Sequence, residues 1–465
     1  MEFPAGFAWG VSTAAYQIEG AVGEGGRGES IWDRFSHSPG AVLHGDTGDV
    51  ACDHYHRLDE DLDLLATLGV QVYRFSLAWP RIQPSGRGEA NAAGIAFYDR
   101  LIDGLLARGI KPVPTLYHWD LPQALQDEGG WASRAIVDAF ADYATVAFAA
   151  FGDRVDTWTT INEPWVATYF GYRIGIHAPG IKDPAVAAAA HHHMLLAHAS
   201  AVERYRSTGA GGAIGIALNL MQVYPTSDHP DDVAAAALAD AQLNTSFLMP
   251  LFTGGYPQAL CALEPFWDEG RGIVQPGDLE RLLGKTDFLS VNFYHPRYVC
   301  APGRVTDARV AGFDGGLEAP MSFGLPMIDV QPARARKTLI GWIIEPAGFR
   351  DLLVRLGRDY PGVPLYISEN GASYADYADQ SGEVRDQERI AYLRDHIGAC
   401  GEAIASGVDL RGYWLWSFMD NFEWSMGYSQ RFGIVHVDYP TQNRTPKASF
   451  HWYRDTIRTN GLPET

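Results

Sequence analysis

The chain of 465 residues is predicted to be an α/β protein built as a single (β/α)8 TIM barrel with elaborated loops after its strands. Three observations predict it. Eight short runs rich in β-branched and aromatic residues recur along the sequence. Most are separated by stretches of helical periodicity, the alternation that lays down a parallel sheet. Two of the runs, 155–164 and 364–371, end in polar residues just before a breaker: Asn162-Glu163 ahead of Pro164, and Glu369-Asn370 ahead of Gly371. Two carboxyls that far apart in sequence face one another only if the fold gathers the strand ends, as a closed parallel barrel does at its carboxyl-terminal face.

The first run is 7–12, followed by 14–20 with Gln17 as the polar residue near its far end. Gly23, Gly25 and Gly28 spell G-x-G-x-x-G, but they do not directly follow the strand and no compact βαβ unit surrounds them. A flexible loop is expected there, not a dinucleotide site. Leucines at 58, 62, 65 and 68 with acids between them predict a helix over 58–68 that Gly69 ends. The second strand, 72–79, carries Arg74 inside an apolar run. An internal arginine is paired with a carboxylate, either as a plain core salt bridge or to hold a reacting glutamate ionised. A helix over 96–108 precedes the third strand, 110–118, which ends on His118 beside Trp119; His118 reads as a partner for a substrate hydroxyl or as a satisfied core histidine.

The helix 136–151 leads into the fourth strand with Asn162 and Glu163. Trp165 and the run 171–180 then form a long loop at the pocket mouth. His191-His192-His193 reads as structural, because adjacent helical residues point in different directions and no HExxH pattern accompanies them. Strand five is 214–221, with Asn219 near its end, and the alanine-rich 233–247 is the helix after it. Strand six, 287–294, delivers Asn292 and Tyr294 at alternate positions and hence to one side. Residues 301–340 are Gly/Pro-rich without clear periodicity and read as a long insertion ending at Gly341-Trp342. Helices at 349–357 and 390–405 flank strand seven with Glu369. Strand eight, 410–418, is followed by a loop that carries Glu423 and Trp424.

Aromatic residues run through the whole chain with no Ser/Pro/Gly-rich linker, so residues 1–465 are read as one domain. At 46% hydrophobic and 20% charged residues, the chain can build a large core. The net charge of −20 and the lack of a Lys/Arg cluster exclude a nucleic-acid partner, and an acidic surface repels anions, so a small neutral ligand is expected. Cys52, Cys261, Cys300 and Cys400 are scattered with no CxxC. That excludes a cysteine zinc site, suits a reducing compartment and predicts four small core residues. With no basic leader ahead of an apolar segment and no stretch long enough to span a bilayer, a cytoplasmic protein without a membrane partner is expected. The sequons at Asn244 and Asn443 are then chance matches.

Glu163 and Glu369 across one pocket suit glycoside hydrolysis, which uses one carboxyl as proton donor and one as nucleophile or base. The residues also match a family. The chain resembles the family 1 glycoside hydrolases, most closely bacterial β-glucosidases, from Phe7-Ala-Trp-Gly10 to Arg444-Thr-Pro-Lys447. The shared motifs include Ala14-Ala-Tyr-Gln-Ile-Glu-Gly20, Tyr117-His-Trp-Asp-Leu-Pro122, Thr160-Ile-Asn-Glu-Pro164, Ile367-Ser-Glu-Asn-Gly371 and Asn421-Phe-Glu-Trp-Ser-Met-Gly-Tyr428. Ser368, where the family usually has Thr, and Ile161, where it has Phe or Leu, leave the carboxyls in place.

The resemblance implies that Glu163 is the general acid/base and Glu369 the nucleophile of a retaining β-glucosidase acting on β-glucosides and cello-oligosaccharides. Asn162 would hold the 2-hydroxyl, with Asn292 among the substrate-binding residues. Gln17, His118, Trp416, Glu423 and Trp424 would bind the rest of the glycone. Tyr294 would hydrogen-bond Glu369 with Arg74 close by, and Trp342 and Trp165 would line the aglycone side. No metal or organic cofactor is needed. Phospho-glycosidases of the family replace the glutamate at the Glu423 position and add a lysine nearby, and thioglucosidases lack the acid at Glu163, so neither pattern fits. Galactose, fucose, transfer of the glycosyl group to a sugar acceptor, and a sugar-binding barrel without catalysis remain alternatives.

Overall fold

A strand with parallel neighbours on both edges and helices outside has no solvent face, and the apolar runs behave accordingly. In the computed structural model, which describes residues 1–270, 272–304, 308–310, 325–332 and 334–462, Val72–Ser76 and Leu289–Asn292 are buried at every position. Eight such strands form a closed parallel barrel: β1 (Ala8–Ser12), β2 (Val72–Ser76), β3 (Lys111–Tyr117), β4 (Thr157–Asn162), β5 (Ala213–Asn219), β6 (Leu289–Asn292), β7 (Leu365–Glu369) and β8 (Leu410–Trp416). Each pairs with its neighbours in sequence, and β1 closes on β8 through Ala8↔Gly412 to Ser12↔Trp416. The last residues of β4 and β7 are Asn162 and Glu369, so the polar strand ends reach the same rim.

The helix Leu58–Leu68 buries Leu58, Leu62, Leu65 and Leu68, the periodic set, and Gly69 ends it at φ 78°. Only a residue without a Cβ takes that left-handed conformation at no cost. Each buried leucine contributes about 1.5–3 kcal/mol of transfer free energy. The segment 233–247 is not one helix. Pro230–Asp240 gives way to a wide turn at Ala241–Thr245 and resumes as Ser246–Phe252. In that turn Asn244 is fully buried and clasps the main chain of Met221, accepting from its N–H at 3.0 Å and donating to its carbonyl at 2.8 Å. One sequon is therefore a structural asparagine.

The glycine loop is pinned, contrary to the expectation of flexibility. Gly28 N–H donates to the Pro80 carbonyl at 2.8 Å, and Arg27 pairs with Asp33 at 2.7 Å. A Cβ on Gly28 would sit 2.0 Å from the Pro84 carbonyl oxygen. The insertion contains strands that its lack of periodicity hid. Ala308–Val310 and Ile328–Pro332 join Val223–Pro225 and Arg297–Cys300 in a four-stranded sheet beside the barrel; residues 305–307, 311–324 and 333 of the predicted insertion lie outside the described residues.

The three adjacent histidines take separate partners. His191 stacks on Phe247 at 3.7 Å between ring centroids, His192 bridges Tyr256 and Asp278, and His193 donates to the Trp131 carbonyl. Among the described residues no group of three His, Cys, Asp or Glu side chains is placed to hold a metal ion. Cys52, Cys300 and Cys400 are buried, whereas Cys261 is half-exposed and not a core residue; all four are free thiols. No helix among the described residues is long and apolar enough to cross a membrane.

Candidate active site

Glu163 and Glu369 line one cleft of about 1300 Å³, counting its open mouth, and they are 4% and 2% exposed. Trp165, Tyr294, Trp342, Trp416, Glu423, Trp424 and His118 line the same cleft. Arg74, Asn162, Asn292 and Gln17 are fully buried behind its wall. All thirteen residues singled out in the sequence therefore come together, nine on the surface of the cleft and four beneath it.

Asn162 is the hub. Its Oδ1 accepts from Arg74 at 2.6 Å and from Asn292 at 3.0 Å, and its Nδ2 donates to His118 Nε2 at 3.0 Å. The other hydrogen bonds of the same partners end on the two carboxylates. Asn292 Nδ2 donates to Glu163 Oε1 at 2.7 Å, and Arg74 contacts Glu369 Oε1 at 2.5 Å. Tyr294 supplies a second donor to Glu369, its hydroxyl 2.7 Å from Oε2. The two readings of Arg74, salt bridge and glutamate holder, thus describe one contact.

These partners divide the glutamates. Burial, then the charge of Glu369, pushes the Glu163 carboxyl well above the ordinary range. Burial also raises Glu369, but the Arg74 charge and the hydrogen bonds from Arg74 and Tyr294 pull it back. Of the two, Glu163 holds its proton the more tightly. The Tyr294 phenol is raised far above its usual value by burial and the neighbouring carboxylates, so it remains a donor.

At the deep end, Glu423 is pushed up to about 8 by burial and the charge of Glu369. Gln17 Nε2 donates to Asn421 Oδ1 at 3.0 Å and to the Phe422 carbonyl at 2.9 Å, which fixes the loop carrying Glu423, while Gln17 Oε1 has no partner among the described residues. His118 is held neutral by burial and the charge of Arg74. Its Nε2 accepts from Asn162, so the proton sits on Nδ1, which has no partner among the described residues. The unpaired Nδ1 thus belongs to a residue that lines the cleft between aromatic faces, His118 being stacked 5.9 Å from both Trp416 and Trp424.

Three residues outside the sequence list are prominent. Trp119 fixes the hub through its Nε1, which donates to the Asn162 carbonyl at 2.9 Å. Trp119, Glu163 and Trp424 all have positive φ, at 77°, 46° and 50°, and all line the cleft. Such conformations cost about 1–3 kcal/mol each away from glycine, and they cluster where geometry serves chemistry. Arg297 and Asp329 also line the cleft, from the side sheet. No motif marks them, because they lie beside or within the insertion.

Comparison with known proteins gives the family. The model of Glycosyl hydrolase family 1 matches residues 1–462. Beta-glucosidase A of Thermotoga maritima is 46% identical over 467 residues, covering 100% of this chain and 99% of the relative. The bifunctional beta-D-glucosidase/beta-D-fucosidase of Bifidobacterium breve is 43% identical, with 98% of each chain covered. A solved structure of the family 1 β-glucosidase from Thermotoga maritima superposes with a TM-score of 0.92 at 44% identity, over 100% of this chain and 99% of that one. The chain belongs to glycosyl hydrolase family 1.

Proposed function

We propose that the protein is a retaining β-glucosidase that removes terminal non-reducing β-D-glucosyl residues from β-glucosides and cello-oligosaccharides. The observation that carries this is the unequal treatment of two glutamates in one cleft: Arg74 and Tyr294 converge on Glu369, and a single amide reaches Glu163. Glu369 attacks the anomeric carbon while the Glu163 proton passes to the departing oxygen, giving a covalent glycosyl-enzyme. Water that loses its proton to Glu163 then displaces Glu369 from the opposite face and restores the β configuration.

Asn162 has a second N–H for the 2-hydroxyl. His118 and Glu423, with Gln17 behind them, serve the remaining glycone hydroxyls, Trp416 and Trp424 lie against the ring, and Trp165 and Trp342 border the leaving group. A β-D-fucoside, which lacks the 6-hydroxyl, is a second substrate in this reading, supported by the likeness to the bifunctional relative. Residues 1–465 act as one domain, supported by the pairing of β1 with β8. The cytoplasm is the proposed setting, supported by four free thiols.

The test compares wild type, Glu369→Gln and Glu163→Gln on glucosides of good and poor leaving groups. Glu369→Gln should lose activity on all of them. In kcat/KM, which reports formation of the glycosyl-enzyme, Glu163→Gln should lose about 10²–10⁴ on an alkyl glucoside and much less on a dinitrophenyl glucoside, whose leaving group departs without a proton. Equal losses on both would remove the acid assignment, and full activity of Glu369→Gln would remove the nucleophile.

A further inference from the structure

The cleft wall beyond β5 and β6 is the side sheet, and it carries an ion pair. Arg297 opens one strand; Asp329 lies in the antiparallel neighbour, opposite Val299. The two are 6% and 4% exposed, both line the cleft, and the Arg297 guanidinium pairs with Asp329 Oδ2. Arg297 Nε also reaches Met221 Sδ at 3.1 Å. The other carboxylate oxygen, Asp329 Oδ1, is buried and has no hydrogen-bond partner among the described residues. An unmet buried acceptor costs about 1–3 kcal/mol, and native structures keep one where water or a ligand completes it.

The position of Glu163 says which ligand passes here. Its carboxyl is held by Asn292 at the end of β6, so the acid stands on the side of the cleft that β5 and β6 border. Asn219, the last residue of β5, and Gln331 line the same stretch. The wall on that side is therefore polar and holds an unfilled acceptor, in a cleft that Trp342 also lines.

We propose that Asp329, oriented by Arg297, is a specificity-determining acceptor for a hydroxyl of a sugar in the leaving-group position. The protein then favours β-linked oligosaccharides over aryl glucosides, whose rings leave Asp329 Oδ1 unpaired. Sites built to hydrogen-bond a substrate hydroxyl discriminate strongly against analogues that lack it. The inference rests on the β-glucosidase reading and narrows it to a substrate class.

The experiment measures kcat/KM for cellobiose and for p-nitrophenyl β-glucoside in wild type, Asp329→Asn and the double variant Arg297→Met/Asp329→Leu. The double variant removes both charges together and leaves no stranded arginine; melting temperatures confirm folding. The cellobiose-to-aryl ratio should fall about 10-fold in the double variant and about 3-fold in Asp329→Asn. If the double variant does not fold, Asp329→Asn decides alone. An unchanged ratio in folded protein, whether both values fall together or neither does, overturns the assignment. Failure of wild type to cleave either compound would instead overturn the β-glucosidase reading.

Discussion

Glu163 and Glu369 carry the same side chain, and what separates them is which neighbours each can reach. Asn292 gives Glu163 one neutral donor, whereas Glu369 has a guanidinium and a phenol. The proton on Glu163 is held partly by the charge of Glu369. Removing that charge makes ionisation easier, so Glu369→Gln should lower the Glu163 pKa. Carbon NMR titration of labelled glutamate should show the shift; an unmoved titration would mean that burial alone sets it. At this scale the sequence was legible where chemistry interrupts a pattern. Polar residues ending an apolar strand exposed Asn162, Glu163 and Glu369, and an arginine inside a strand exposed Arg74. Asp329 stayed hidden because a charge in a Gly/Pro-rich segment interrupts nothing, and Arg297 because it lies just before that segment, past the end of the strand 287–294.

Between residues and the whole barrel, the loop after β8 has the most to hold in place, since it carries Glu423 and Trp424. Asp420, at its centre, is fully buried and receives Lys447 at 2.7 Å, Arg431 at 2.6 Å and the Gly433 N–H at 3.0 Å. Lys447 also contacts Asp376 at 2.5 Å. Lys447→Met takes one cation from each of Asp420 and Asp376, which keep Arg431 and Arg389, so the loss should stay below the roughly 3–5 kcal/mol of a fully broken buried pair. Melting temperature should fall, and KM should rise more than kcat drops as Glu423 and Trp424 shift; a lower melting point with unchanged KM would show that the loop is held by other contacts. The strands and the helix Leu58–Leu68 were readable from periodicity because each buries one kind of surface. The break at Ala241–Thr245 was not, because Asn244 looks like any polar helix residue until Met221 is beside it.

Across the whole molecule, buried carboxylates make stability depend on pH. Against the cost of burial, hydrogen bonds from His54 and Arg444 hold Asp61 below its ordinary range, and the charges of Lys447 and Arg431 do the same for Asp420. The unfolded chain therefore binds protons more readily at these sites. Their stabilisation is fully present above the unfolded value of about 4 and is lost as pH falls through the lower folded values. Melting temperature should drop steeply below about pH 4, and Asp420→Asn should flatten the slope; an identical slope would place the acid sensitivity elsewhere.

Closure of β1 on β8 gathers the strand ends into one cleft, and the two glutamates there allow either direct displacement by water or two successive displacements through Glu369. The two routes differ in the configuration of the first sugar released. Followed by proton NMR as an aryl β-glucoside is turned over, the β anomer should appear first, with the α anomer growing in only by mutarotation. Release of α-glucose as the first product would contradict the covalent intermediate and the roles of both glutamates.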